Sequence, residues 1–369
     1  MSKNKNKKLF AIFIISSLTF MCVLGFSIYK IIETASLGNE KKSNSSIDNL
    51  KKKNPKNQIE KKAETSNDIT ITISGVGDCT LGSDINSKGN SFDSVYKKKK
   101  DPSYFFTGVY DVLSKDDITI ANLEGPLTSN GKRADKEFSF RGRPEYTGIL
   151  TKGSVDAVTL ANNHSMDYGQ VGFDDTKKYL EDASINWFGY NNKSIIEKKG
   201  VKIGLLGFKA WNNSNELKNN VKVSIDKLKK DVDMIVVSFH WGEEGAMFPN
   251  SIQTSLGRLA IDSGAELVLG HHPHVIQGIE SYKGKNIIYS LGNFSFGGNS
   301  NPKDKDAYIF QQKFTFDSSQ KLISQSNGES IPVSISSSRN INDYRPIVLK
   351  GSEKERVLSK INNRSKIIN

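Results

Sequence analysis

The 369-residue sequence predicts an α/β fold, because short β-rich runs alternate with amphipathic helical segments along most of the chain. A second observation concerns where the polar residues fall. They come at the carboxyl ends of successive runs, the edge at which open α/β sheets carry their sites. The third is histidine usage. Of five histidines, His271, His272 and His274 stand within four residues directly after an apolar run; His240 follows another run, and His164 follows Asn162 and Asn163.

The N-terminus stands apart from this pattern. Residues 9–29 form 21 positions without a charge, preceded by Lys3, Lys5, Lys7 and Lys8, which is long enough to cross a bilayer as one helix. With the lysines inside, residues 1–8 are cytoplasmic and the remainder is extracytoplasmic. A cleaved signal has a shorter apolar region and a small-residue cleavage site, and neither stands out here. The expectation is therefore an uncleaved, single-pass signal anchor in the cell membrane, with Cys22 inside it. Residues 30–68, rich in Lys, Asn, Ser and Glu, bury too little apolar surface to offset ordering entropy and are expected to be a flexible linker.

The formal charge of +12 is unevenly spread: residues 1–68 carry 13 lysines against 6 acidic residues. The folded part keeps a mild +5, which argues against nucleic acid as a partner and is compatible with an acidic polymer, a phosphate ester or an anionic envelope. The basic run at 97–100 is read as a solvated loop. Cys79 is the only cysteine besides Cys22, so no disulfide framework supports the exported part, which must be stable by its core.

Taken in order, the run 69–76 stops at Gly77-Asp78, 118–121 stops at Asn122-Leu123-Glu124, and 155–160 stops at Ala161-Asn162-Asn163-His164. Further runs follow at 201–208, at 234–239 before His240, at 266–269 before His271, and at 287–291 before Gly292-Asn293. Seven such strands direct Asp78, Glu124, Asn163, His164, His240, His272, His274 and Asn293 toward one edge. A helix is expected over Ser251–Ser263, where Ile252, Leu256, Leu259 and Ala260 share a face and Gly264 is the stop. Residues 308–316 alternate strictly, with Tyr308, Phe310, Phe314 and Phe316 on one face, as in an antiparallel strand covering a second sheet. The domain is placed at 69–350, and 351–369 is read as a polar C-terminal tail.

Singly, these polar residues read blandly: an Asp after Gly is a turn residue, and an Asn-His pair is a cap. As a set they are a mixed nitrogen and oxygen ligand group, which suits Mn, Fe or Zn rather than Ca or Mg. His272 and His274 on one extended segment would point both rings to the same side. Such a set would hold one or two divalent ions, and two that share a carboxylate make the arrangement used to hydrolyse phosphate esters.

The motifs carry a family resemblance. Gly77-Asp78 with Leu81-Gly82, residues 122–127 (Asn-Leu-Glu-Gly-Pro-Leu), and Ala161-Asn162-Asn163-His164 with Asp167, Gly169 and Gly172 come first. His240-Trp241-Gly242, His272-Pro273-His274-Val275 with Gln277, and residues 289–294 (Tyr-Ser-Leu-Gly-Asn-Phe) follow. Together they resemble the CapA family, the poly-γ-glutamate capsule synthesis proteins also called PgsA, a branch of the calcineurin-like metallophosphatase superfamily. Six motifs occur in the family's order, over residues 69–346. The resemblance implies a four-layer αββα metallophosphatase-like sandwich, two mixed sheets packed together with helices outside.

It also implies roles. Asp78 would be a ligand of a first ion, Glu124 the shared carboxylate, and Asn163, His240 and His272 ligands of a second ion; His274 would return to the first, and His164 would be the general acid. One departure matters: superfamily phosphatases begin with an Asp-x-His pair, but Thr80 stands two residues after Asp78, so a nitrogen ligand of the first site is missing. His271 is extra and reads as a strand-end residue. Arg141, Arg143 and Asn293 are the candidate substrate contacts, the arginines because guanidinium pairs bidentately with carboxylate. A basic loop describes the same arginine segment equally well. Two functions fit. One is a membrane-anchored component, with partner membrane proteins, for making or exporting poly-γ-glutamate or another anionic capsule; the other is a metal-dependent phosphoester hydrolase of the cell envelope.

Overall fold

The computed structural model describes residues 68–368. Residues 1–8, expected to be cytoplasmic, residues 9–29, expected to be an anchor containing Cys22, and the expected linker up to residue 67 lie outside the described residues. Among the described residues no helix is long and apolar enough to cross a membrane.

The first sheet is built on β1 (Ile69–Thr80), whose buried isoleucines make it a strand suited to a central position. In spatial order it runs β17 (Ile347–Val348), β16 (Glu329–Ser334), β14 (Asp306–Phe316), β1, β3 (Ile118–Leu123), β5 (Ala157–Thr159) and β6 (Asn186–Phe188). Two further strands join it, β13 (Asn293–Phe296) beside β1 and β15 (Leu322–Gln325) beside β14. The second sheet is ordered β11 (Ile279–Tyr282), β12 (Lys285–Ile288), β10 (Leu267–His271), β9 (Met234–Trp241), β8 (Val201–Ala210) and β7 (Ser194–Lys198). A small ribbon pairs β2 (Ser83–Asp84) with β4 (Phe140–Arg141). Both sheets are mixed. β1, β3, β5 and β6 are parallel, as are β8, β9, β10 and β12, whereas β14 runs antiparallel to β1 as its alternation predicts.

The two sheets and the helices outside them pack in four layers. Ile71, Ile73, Ile118 and Ile120 of the first sheet meet Ile203, Leu205, Met234, Val236, Leu267 and Leu269 of the second, and Tyr308, Phe310, Phe314 and Phe316 of β14 fill the same interior. The outer face of the first sheet is covered by α1 (Phe92–Lys99), α2 (Tyr110–Leu113), α3 (Thr147–Lys152) and α4 (Gly169–Asp182). The outer face of the second is covered by α5 (Asn215–Leu228) and α6 (Ser251–Ser263). Because β9 is buried on both faces, its sequence is mostly apolar, broken only by Ser238 and His240, rather than an alternation. At α6 a capping box of Asn250 and Gln253 starts the helix, and Gly264, at φ 117°, ends it.

Three segments differ from their sequence reading. Lys97, Lys98 and Lys99 form the last turn of α1, where positive charge suits the carboxyl end of the helix dipole, and Lys100 caps it in the left-handed region; the run is not a loop. The strand expected over 287–291 runs Lys285–Ile288. The polar segment 351–369 contains α7 (Gly351–Lys366), which inserts Val357 and Ile361 into the core between the sheets. Arg356 of α7 donates to both oxygens of buried Asp306 at 2.7 Å, and Lys360 contacts the same carboxylate. Burial alone would raise the Asp306 pKa; the two cations outweigh it and hold it below the ordinary range.

One backbone irregularity decides where the chemistry points. The pairing of β1 with β3 shifts register between Gly75 and Asp78. Ile71 and Ile73 face the second sheet, while Val76 and Cys79 both face the helices, a spacing of three that a regular strand does not give. The bulge between them turns Asp78 inward. Gly77 is required beside it: a Cβ there would lie 2.0 Å from the Gly292 carbonyl oxygen, which accepts the Asp78 N–H at 3.0 Å.

Candidate metal centre

Asp78, Glu124, Asn163, His240, His272 and His274 converge at the carboxyl ends of β1, β3, β9 and β10 and in the loops that follow β5 and β10. Asn163 Oδ1 lies 2.7 Å from His240 Nε2, which is 3.7 Å from Glu124 Oε1. Glu124, His272 and His274 each place a ligand-type atom within 4.8 Å of the others. Asp78 Oδ2 is 3.3 Å from His274 Nδ1, and Glu124 Oε1 is 3.9 Å from His274 Nε2. The rings of His240 and His272 are 4.7 Å apart.

The histidine pair does not converge by strand periodicity. β10 ends at His271, and His272 and His274 take positive φ of 96° and 58°, so the extended segment expected around them is absent. Left-handed backbone at two non-glycine residues is costly, and such strain persists where surrounding contacts over-determine it. Here the His272 N–H is 3.3 Å from Asp78 Oδ2, and Asn293 grips His274 twice: Oδ1 is 2.9 Å from ring Nδ1, and Nδ2 donates to the carbonyl at 3.2 Å. A proton on Nδ1 donates to Asn293 and leaves Nε2 facing Glu124 as the ligand-type atom. Asn293, a candidate substrate contact on sequence grounds, has its side chain engaged in holding His274.

Residues without an assigned role complete the arrangement. Asn122 Nδ2 donates to Asp78 Oδ1 at 2.8 Å and lies 3.4 Å from His240 Nδ1, while its Oδ1 accepts from Asn162 at 3.0 Å. The Thr80 hydroxyl is 3.5 Å from Glu124 Oε2. His271, read as a strand-end residue, is fully buried with Nδ1 3.4 Å from Asp78 Oδ1. At the rim, the half-exposed Trp211 packs edge-to-face on His272, with ring centroids 4.6 Å apart. Asn122 and Asn162 lie inside the sequence motifs, but only their contacts reveal their work; nothing in the sequence signals Trp211.

Burial shapes the charges. It pushes the Glu124 carboxyl up to about 7 against the opposing charge of His274. Burial would lower His274, but the carboxylates of Glu124 and Asp78 outweigh it and hold this imidazole protonated up to about 10. His240 is driven well below its ordinary value, first by burial and then by the charge of His272. Glu124 Oε1, both ring nitrogens of His271 and His272 Nδ1 are buried without a hydrogen-bond partner. Orphaned buried polar atoms of this kind are costly, and a divalent cation would satisfy the carboxylate oxygen and the unprotonated nitrogen of each ring; the mixed imidazole and carboxylate donor set fits one.

His164 stands beside this cluster. Its Nδ1 is 2.7 Å from Asp167 Oδ2, its ring packs 4.5 Å from Phe140, and Lys136 Nζ reaches Asp167 Oδ1 at 2.5 Å and His164 Nδ1 at 3.3 Å. Arg141 and Arg143 lie farther out, lining a cavity of about 510 Å3 with Ser83, Thr128 and Tyr168. Arg141 stacks 4.6 Å over Tyr168, and no carboxylate pairs with it among the described residues. Arg143 is 3.5 Å from Asp93 and 3.7 Å from Glu145.

Fold and site together define a two-sheet α/β sandwich with a buried cluster of histidines and carboxylates at the strand ends. Residues 72–298 match the family model described as "Bacterial capsule synthesis protein PGA_cap", and the chain belongs to that family. It is 34% identical over 257 residues to the PGA biosynthesis protein CapA of Bacillus subtilis, covering 64% of this chain and 66% of that protein. It is 30% identical over 253 residues to the Capsule biosynthesis protein CapA of Bacillus anthracis, covering 61% and 60%. The match thus spans somewhat less than two thirds of the length of these curated relatives. Among solved structures, a phosphatase from Mycoplasma pneumoniae aligns at TM-score 0.42 and 15% identity, covering 72% of this chain and 94% of that one. A likeness this slight carries no argument about function.

Proposed function

We propose that this protein serves in the production or export of an anionic capsule of the poly-γ-glutamate kind, outside the cell membrane, with one or two divalent ions in a metallophosphatase-type site. The polymer is suggested by the two Bacillus relatives, named for PGA and capsule biosynthesis. The observation that carries the metal is the buried, unpartnered Glu124 Oε1 facing His240 and His274. Asn163, His240 and His272 would hold one ion with Glu124, and Asp78 and His274 another with the same carboxylate. When bound, such ions act as Lewis acids toward a phosphoryl or carbonyl oxygen. Metal analysis of the purified full-length protein tests the site directly: absence of Mn, Fe or Zn after reconstitution would overturn it.

The chain's own residues supply the rest. Arg141, exposing its guanidinium to the cavity beside Tyr168, is placed to pair with a polymer carboxylate, whereas Arg143 already faces Asp93 and Glu145. Arg141→Ala is therefore expected to weaken retention of labelled poly-γ-glutamate by about tenfold or more, as loss of a hydrogen bond to a charged group costs ~1.5–3 kcal/mol. Arg143→Ala is expected to do less. Equal, small effects in a binding titration would remove this contact from the proposal.

Topology has its own test. Protease added to intact protoplasts is expected to digest the region beyond residue 69, because the basic residues precede the apolar run. Protection matching a cytoplasmic marker would place the domain on the wrong side of the membrane for this function.

A second reading, hydrolysis of a phosphoester in the envelope, is favoured by one observation. Asp167 engages His164 Nδ1, so the opposite ring nitrogen is the one left to deliver a proton to a leaving oxygen. Turnover assays on His164 variants separate this reading from a non-catalytic one.

A further inference from the structure

We propose that His271 is a metal ligand of the first ion site, supplying the imidazole that Thr80 fails to provide. The inference rests on the metal reading above and adds a ligand to it. His271 is fully buried, and neither of its ring nitrogens has a hydrogen-bond partner. A core histidine kept for structure satisfies at least one of them, because an unmet buried polar atom is expensive. This ring is aimed at the site: on β10 it is paired with His240 of β9, so the two side chains leave the second sheet on the same face, toward the first. Its Nδ1 stands 3.4 Å from Asp78 Oδ1, a separation compatible with two ligand atoms about 2.0–2.2 Å from one ion.

The other side of Asp78 makes the case specific. Oδ2 lies 3.3 Å from His274 Nδ1, the nitrogen held by Asn293, while Nε2 of that ring turns to Glu124; Oδ1 is the oxygen that faces His271. Thr80 sits where superfamily phosphatases carry a ligand histidine, but its hydroxyl reaches only Glu124 Oε2, at 3.5 Å. Asp78, Glu124 and His274 alone leave the first site short of a nitrogen donor. His271, arriving from β10 rather than from β1, is a buried imidazole that stands against Asp78 and makes no hydrogen bond with either ring nitrogen.

The test replaces His271 in the full-length protein and counts ions. His271→Ala is expected to lose one bound Mn or Zn per chain relative to the wild type while keeping the ion held with His240. His271→Cys reconstituted with cobalt is expected to show a thiolate-to-cobalt charge-transfer band, which a residue that merely orients Asp78 through a hydrogen bond would not produce. Thr80→His in the His271→Ala background is expected to restore the lost ion, since it returns an imidazole to the same carboxylates. An unchanged ion count in folded His271→Ala would overturn the proposal. So would a His271→Cys protein that takes up cobalt without the band, or one that cannot fold even in excess cobalt. A wild type that binds no ion would overturn the metal reading itself, a different outcome from a wild type that binds ions regardless of residue 271.

Discussion

His164→Ala is expected to keep its divalent ions while phosphodiester turnover falls by about 10²- to 10⁴-fold, the usual cost of removing a general acid. The two effects separate because of where the ring stands. Its Nδ1 is committed to Asp167 at 2.7 Å, and Asp167 is itself held by the Phe140 N–H and by Lys136. His240→Ala should behave differently. His240 Nε2 lies 2.7 Å from Asn163 Oδ1 and 3.7 Å from Glu124 Oε1, so if these atoms hold an ion its removal is expected to release that ion. Metal content by plasma emission and cleavage of a nitrophenyl phosphodiester read the two variants side by side. If metal-loaded wild type cleaves nothing, and a His164→Ala strain makes normal capsule, hydrolysis is ruled out and the capsule component without catalysis stands.

Uptake of the ion by metal-free protein is expected to strengthen steeply with pH. Burial raises Glu124 to about 7, and the neighbouring carboxylates hold His274 protonated to about 10 despite its burial. A divalent ion takes the first as carboxylate and the second as neutral imidazole, so bound protons must leave. Between pH 7 and 10 only the His274 proton is displaced, and apparent affinity should fall about tenfold for each unit of acidification. Below pH 7 both protons oppose the metal, and the fall approaches about a hundredfold per unit. Calorimetry in buffers of different protonation heat counts the released protons. An affinity that is flat from about pH 5 to 9 would show that these two groups do not ligate.

Sequence by itself determined the strands and their polar ends, because periodicity and burial are local properties. The run 234–239 is apolar but for Ser238 since β9 is covered on both faces, the alternation at 308–316 survives since β14 presents its aromatic residues to the second sheet, and Gly264 ends α6 in a conformation that favours glycine. The motif order also named residues that lie close together: Glu124, His272 and His274 bring ligand-type atoms within 4.8 Å of one another, His240 and Asn163 adjoin Glu124, and Asp78 adjoins His274. Only the tertiary structure decided how they meet. The bulge between Gly75 and Asp78 turns that carboxylate inward, and positive φ at His272 and His274 replaces the extended pair that spacing suggested. Asn293 is seen to hold His274, and His271, which ends β10 as its place after an apolar run suggested, proves to be the neighbour of Asp78, 193 positions away in the chain. The polar segment after residue 350 becomes a helix because Val357 and Ile361 find the core and Arg356 finds Asp306. Side-chain period says which face a residue occupies; what stands opposite that face is set by strand order and by local breaks in the backbone, which no window of sequence contains.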